Sequence, residues 1–68
     1  MTFSPIINHS AEQRGIRMWY VSEKDGVWLG TVRITPDAAG FATSAGEFAS
    51  KEQMIRIAHF IAEKTDAK

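Results

Sequence analysis

A single segment of the chain, residues 50–64 (SKEQMIRIAHFIAEK), carries unambiguous helical periodicity. With about 100° of rotation per residue, its apolar side chains fall within an arc of about 160°. These side chains are Met54, Ile55, Ile57, Ala58, Ile61 and Ala62. Ser50 and Gln53 have the spacing of a capping box, in which each side chain bonds the backbone amide of the other residue. The segment therefore predicts one helix at 50–64, with its apolar stripe facing the core.

Phe60 lies outside this stripe, roughly 60° beyond Ile57 on the same helical wheel. Two alternatives account for it. It packs at the margin of the core under the N-terminal segment, or it serves beside Arg56 as an exposed anchor for a partner protein. The sequence leaves both alternatives open.

Length and composition limit the classes of protein that fit this chain. Its 68 residues suit one domain, residues 1–68, with a small core. There is no cysteine, which suits a reducing compartment, and eight basic residues balance eight acidic ones. Nucleic-acid binders usually carry an excess of Lys and Arg, so this balance disfavours them. We expect no signal peptide, no membrane span or membrane partner, and a cytoplasmic location.

A β-hairpin is predicted by two runs, 16–23 and 27–34, that are rich in β-branched and aromatic residues and are separated by KDG. A two-residue turn would pair Trp19 with Val32. A three-residue loop with a glycine bulge would shift the partners by one residue and set two arginines opposite each other. Because like charges directly opposite are unfavourable, we expect the first register.

In that register both faces of the hairpin carry large apolar side chains. One face has Trp19, Val21, Trp28, Val32 and Ile34, and the other has Ile16, Met18, Tyr20, Val27 and Leu29. A half-covered antiparallel sheet normally alternates apolar with polar residues, and one helix can cover only one face. The second face must be covered by the N-terminal segment, a second copy of the chain or another protein.

The remaining segments complete a small domain. We expect an edge strand at 2–8, a turn or single helical turn at 10–15, a loop at 35–40, a third strand at 41–45 and a frayed tail at 65–68. Pro5 is tolerated only at a sheet edge, and Pro36 suits the first central position of a turn. The expected fold class is therefore α+β, a three-stranded or four-stranded antiparallel meander with one C-terminal helix packed on one face.

The residues that could act in catalysis or bind a metal are not spaced as in known catalytic or metal-binding motifs. His59 and Glu63 are four residues apart on the predicted helix, but a zinc site needs three or four ligands and His9 lies in a segment of uncertain position. Serine side chains have no base beside them in sequence, and the glycines do not form a phosphate-binding loop. We expect no enzymatic activity, no cofactor and no metal.

Two stretches, residues 24–28 (KDGVW) and 40–55 (GFATSAGEFASKEQMI), resemble the YegP-like family of small bacterial proteins. In that family a strand ending in Thr-Ser leads through an aromatic residue to a helix that starts with Ser-Lys. The corresponding positions here are Thr43, Ser44, Phe48, Ser50 and Lys51. Since the function of that family is obscure, the resemblance implies a fold rather than an activity.

The approach to the helix at 46–51 (GEFASK) is also similar to the arm-type DNA-binding domain of phage and transposon integrases. That domain has three strands and a helix, and it reads DNA through a basic sheet. The third strand predicted here has no Lys or Arg, so the DNA-contacting residues of that domain do not carry over.

These features together predict a small non-enzymatic binding protein that self-associates and acts through protein–protein contact. Its size is typical of accessory regulators or inhibitors carried by phages and mobile elements. The candidate partner-binding residues are Met18, Tyr20, Leu29, Arg56 and Phe60. The alternative is a nucleic-acid-binding module in which the sheet presents aromatic side chains together with Arg14, Arg17 and Arg33.

Overall fold

The computed structural model describes residues 1–23, 26–44, 46 and 48–65, which form a four-stranded antiparallel sheet and two helices. In chain order the elements are β1 (Thr2–Pro5), α1 (His9–Gln13), β2 (Arg17–Ser22), β3 (Trp28–Ile34), β4 (Ala39–Thr43) and α2 (Lys51–Thr65). Strands that are consecutive in sequence are neighbours in the sheet, in the order β1-β2-β3-β4. The predicted α+β meander is confirmed, and the N-terminal strand is its fourth member.

The N-terminal segment forms one edge of the sheet. β1 pairs with β2, and Pro5 ends the strand at this edge, where a residue without an N–H group is tolerated. The chain then turns into α1, whose N-cap is Asn8. The Ala11 amide donates a hydrogen bond to Asn8 Oδ1 at 3.1 Å. The strand is therefore shorter than the predicted 2–8, and the helical turn begins earlier than 10.

The β2–β3 hairpin has the predicted register over most of its length. Trp19 pairs with Val32, but near the connection the register shifts and Ser22 pairs with Trp28. The Glu23 amide donates to the Val27 carbonyl oxygen at 2.8 Å. The two-residue turn predicted at 25–26 falls partly outside the described residues, which exclude 24 and 25.

The register shift is a β-bulge, and it reverses the faces that were predicted for two large side chains. Leu29 packs against the core, whereas Trp28 lies on the other face of the sheet, where its ring contacts that of Tyr20. The prediction that Trp28 faces the helix and Leu29 faces away was wrong. An extra residue in one strand reverses the alternation of side chains beyond it.

The core lies between α2 and one face of the sheet. Its buried side chains are Trp19, Val21, Val32, Ile34 and Ile57. At its margin, the ring of Phe60 stacks on that of Phe3, with centroids 3.9 Å apart, and meets the edge of Trp19 at 5.1 Å. Of the two alternatives for Phe60, the structure shows the packed one, beneath the N-terminal strand.

Helix α2 starts at the predicted capping box. The Gln53 amide donates to Ser50 Oγ at 3.1 Å, and the Ser50 amide donates to Gln53 Oε1 at 2.8 Å. The Gln53 side-chain amide also donates to the Glu23 carboxylate. At the other end, Arg17 Nη2 donates to the Lys64 carbonyl oxygen at 2.9 Å. Side chains from the hairpin thus hold both ends of α2 against the sheet.

With these contacts, α2 packs a different side against the sheet from the one that was predicted. Ile57 is 1% exposed, but Met54 and Ile55 are 43% and 59% exposed. The half-buried positions beside Ile57 are Gln53, Phe60, Ile61 and Lys64. Their row is centred roughly 90° from the centre of the predicted stripe. The prediction was therefore wrong for Met54, Ile55, Ala58 and Ala62, which are all exposed.

The β3–β4 connection is a tight turn with Pro36 at its first central position, as predicted. The Thr35 amide donates to the Ala38 carbonyl oxygen at 2.8 Å, and the Ala38 amide donates to Thr35 Oγ1 at 3.0 Å. β4 therefore begins at Ala39, two residues before the predicted third strand at 41–45. Residue 45 of that strand and residues 66–68 of the predicted tail lie outside the described residues.

Within the part of the chain that the structure describes, neither helix has the length and apolar composition needed to cross a lipid bilayer.

Candidate interaction surface

The face of the sheet opposite α2 is called the open face. Alternation along the four paired strands places on it Thr2, Ser4, Met18, Tyr20, Ser22, Trp28, Thr31, Arg33, Gly40 and Ala42. Tyr20 is 47% exposed and Trp28 is 51% exposed. The described residues therefore leave two large aromatic side chains of this face half in solvent.

Tyr20 and Trp28 form an ordered pair. Their ring centroids are 6.0 Å apart and their planes meet at 79°, the edge-to-face geometry that aromatic rings favour. The indole Nε1–H of Trp28 donates to the Gly30 carbonyl oxygen at 2.9 Å. Because its polar group is satisfied within the strand, Trp28 presents an apolar ring to solvent in a fixed position.

A shallow groove of about 590 Å³ lies beside this pair, along β3 and β4. Its lining on the open face includes Met18, Thr31, Arg33, Gly40 and Ala42. The groove exists because β4 contributes a glycine and an alanine where β2 and β3 contribute longer side chains. Arg33 is the one charged residue among those on the open face, and the groove lining is mainly apolar with this single positive group.

The five candidate partner-binding residues do not form one surface. Met18 and Tyr20 lie on the open face. Leu29 and Phe60 are partly buried against the core on the other side, and Arg56 is exposed on α2. Sequence reasoning missed Trp28 as a surface residue. The signal that could have found it was the alternative with a three-residue loop, which shifts the partners near the connection.

The three arginines of the nucleic-acid alternative are likewise separated. Arg33 is on the open face, while Arg14 is the C-cap of α1. Arg17 is on the covered side, where its guanidinium bonds the C-terminal end of α2 and lies 5.3 Å from the centroid of the Trp19 ring. Only one of the three accompanies the exposed aromatic pair.

His59 and Glu63 are exposed on α2. Among the described residues there is no group of three or more His, Cys, Asp or Glu side chains that could hold a metal ion.

Comparison of the chain with protein-family models, with curated proteins and with solved structures finds no match. The two family resemblances noted from the sequence stay predictions. A function for this chain must therefore be inferred from its own surface.

Proposed function

We propose that this chain is a small non-enzymatic binding protein that contacts another protein through the open face. The observation that supports this most directly is the ordered pair of half-exposed aromatic residues, Tyr20 and Trp28. Tryptophan, tyrosine and arginine supply a large share of the binding energy at protein interfaces. Side chains that are already fixed in position lose little conformational entropy on binding.

The chemistry of the open face indicates what a partner would offer. Its aromatic pair and groove suit an apolar side chain, and Arg33 suits a carboxylate at the rim of the contact. A second copy of the chain or a different protein could supply these groups. We propose that the chain makes this contact as a cytoplasmic accessory regulator or inhibitor carried by a phage or mobile element.

Removal of the aromatic pair tests this function. The variant Tyr20→Ser, Trp28→Ser would be compared with Ile7→Ser, which removes an apolar side chain that is 72% exposed but is not on the open face. Each protein would be immobilised and exposed to cell extract. We expect the double variant to capture about one tenth or less of the partner that the wild type captures, and Ile7→Ser to capture as much as the wild type.

Light scattering over a wide concentration range would follow self-association of the same proteins. Circular dichroism would confirm that each variant is folded. Equal partner capture by the wild type and the double variant would refute the proposed role of the open face.

A nucleic-acid-binding function is the second candidate, because Arg33 lies on the same face as Tyr20 and Trp28. Aromatic side chains next to a cation can stack bases of a single strand. With one arginine on the face, about one phosphate would be neutralised, and affinity for a single-stranded oligonucleotide would fall only shallowly with salt. Absence of binding at low salt, or identical binding by Arg33→Gln, would eliminate this candidate.

A further inference from the structure

Strand β4 forms the edge of the sheet opposite β1, and no described residue pairs with its outer side. The Ser44 amide donates to the Leu29 carbonyl oxygen at 3.0 Å, so the backbone groups of even-numbered residues here point toward β3. Hydrogen-bonding direction alternates along an antiparallel strand. The outward-pointing N–H and C=O groups therefore belong to Ala39, Phe41 and Thr43.

The two edges of the sheet differ in how they are protected. Natural proteins block edge strands with charged side chains, proline or bulges. β1 ends in Pro5, whereas β4 (AGFAT) has no charged residue and no proline, and its backbone pairs regularly with β3. The β4 edge is therefore open to pairing with another strand.

The apolar surface continues from this edge onto α2, which lies nearest to β3 and β4. A groove of about 360 Å³ beside β4 is lined by Phe41, Thr43, Phe48 and Met54, among others. The side chain of Phe48 is fully exposed, and Met54 is 43% exposed. Advancing around the helix from Met54, away from the sheet, the next positions are Thr65, Ala58, Lys51, Ala62 and Ile55, all exposed.

The opposite flank of α2 has a different composition. Beyond Phe60, the wheel positions on the side toward β1 are Arg56, Glu63 and Glu52. One flank of the helix is thus charged. The flank on the β4 side is mainly apolar, with small residues that allow close approach and with Lys51 as its one charged residue. The half of the apolar stripe that the sheet leaves uncovered lies on the same side as the unpaired strand edge.

We propose that β4 pairs antiparallel with β4 of a second copy of this chain, around a two-fold axis at Phe41. The sheet would then continue through both copies, with their α2 helices on the same side and the Phe48 and Met54 side chains between them. This register sets Ala39 opposite Thr43 of the second copy and uses all the outward-pointing backbone groups.

An uncharged surface is what such an interface requires. Around a two-fold axis each residue meets the same patch of the other copy, so a like charge near the axis would face itself. Strand β4 has no charged residue, and on this flank of α2 only Lys51, in the first turn, is charged. The molecule measures 31 × 22 × 20 Å. Any one side is therefore on the order of 400–700 Å², at the low end of the roughly 600–1,000 Å² that each partner buries in a standard interface, so the dimer should form only at high concentration.

In this arrangement the chain self-associates through the β4 edge of the sheet. It leaves Tyr20 and Trp28 exposed in both copies, so it does not depend on the function proposed for the open face.

Engineered cysteines test the pairing and its register, because the natural chain has none. In the proposed register Gly40 lies directly opposite Ala42 of the second copy, at a spacing that a disulfide can bridge. Within one strand these two positions are about 7 Å apart, too far for an internal disulfide. The variant Gly40→Cys, Ala42→Cys should therefore form a covalent dimer on mild oxidation.

The matched control is Thr2→Cys, Ser4→Cys, which has the same spacing and the same face but lies on the β1 edge. We expect the β4 pair to give covalent dimer about tenfold faster than the β1 pair on a non-reducing gel. Equal rates for the two pairs would overturn the proposal.

Light scattering supplies the second measurement. We expect the wild type to be dimeric at high concentration, and Ala58→Glu to weaken the dimer about tenfold or more, because the new carboxylate meets its own copy. His59→Glu adds the same charge at the next position, outside the interface, and should leave the dimer intact. A wild type that stays monomeric at every concentration overturns the proposal. So does a dimer that is broken by Tyr20→Ser but not by Ala58→Glu, which would place self-association on the open face.

Discussion

On the covered face of the sheet Val21 and Val32 are fully buried, whereas on the open face Tyr20 and Trp28 keep about half of their surface in solvent. Both sets belong to the same strands and are similarly apolar. The difference arises because the described residues provide one long helix, and the contacts of Phe60, Gln53 and Lys64 hold it on one face. Stability should therefore depend on the covered face, and the proposed contact with a partner protein on the open face.

The largest difference in the free energy of unfolding is expected between substitutions of two isoleucines on α2. Ile57 is 1% exposed within the core, and Ile55 is 59% exposed. Ile57→Ala should lower the free energy of unfolding by about 2–5 kcal/mol, since it removes buried methyl groups and leaves a cavity. Ile55→Ala should change it by less than about 0.5 kcal/mol, as for other exposed positions.

Urea unfolding followed by tryptophan fluorescence would measure both isoleucine variants. The protein concentration must be low, because dimerisation adds a concentration-dependent term to the apparent stability. Equal losses for the two variants would show that α2 has the orientation of the sequence-derived stripe and not the observed one.

The next largest difference in stability is expected between substitutions of two glycines. A Cβ atom at Gly30 would overlap the Ala42 carbonyl oxygen and lie 2.8 Å from Phe41 Cε1, whereas at Gly40 nothing lies within 4 Å. Gly30→Ala should therefore push β4 away from β3 and cost about 1–3 kcal/mol. Gly40→Ala should be neutral or slightly stabilising, because it reduces the freedom of the unfolded chain.

Thermal melting monitored by circular dichroism would rank the two glycine variants. If Gly30→Ala melted at the wild-type temperature, the close packing of Phe41 over β3 would not contribute to stability.

Local patterns made much of this fold predictable. The capping box at Ser50 and Gln53, the Pro36 turn and the pairing of Trp19 with Val32 each rest on chemistry within a short stretch, and the structure contains all three. Such signals do not require knowledge of what packs against them.

The orientation of α2 and the faces of Trp28 and Leu29 could not be read in the same way. A helical wheel treats every apolar side chain alike, but the Phe60 ring and the hydrogen bonds at the two ends of α2 select one side. A period of two cannot reveal a bulge, because one extra residue reverses the pattern without changing composition. Strict alternation therefore placed Met18 and Tyr20 on the second face, where they lie, but it placed Trp28 on the opposite face.

The smallest effect, and the sharpest test of the bulge, comes from the neighbours Trp28 and Leu29. Leu29 packs against the core, and Trp28 is 51% exposed. Leu29→Ser would place a hydroxyl group against apolar side chains and should cost about 1–2 kcal/mol. Trp28→Ser gives up an edge contact with Tyr20 and should cost below about 1 kcal/mol, although tryptophan is the larger side chain.

Urea midpoints at equal protein concentration would establish this order, with Trp19 as the fluorescent probe common to both variants. A greater loss for Trp28→Ser would mean that Trp28 faces the core, as strict alternation from a two-residue turn requires. The expected order carries a functional consequence as well. A tryptophan that can be removed at little cost to folding, yet is held in place by a hydrogen bond to the Gly30 carbonyl oxygen, is available to contribute its surface to a partner.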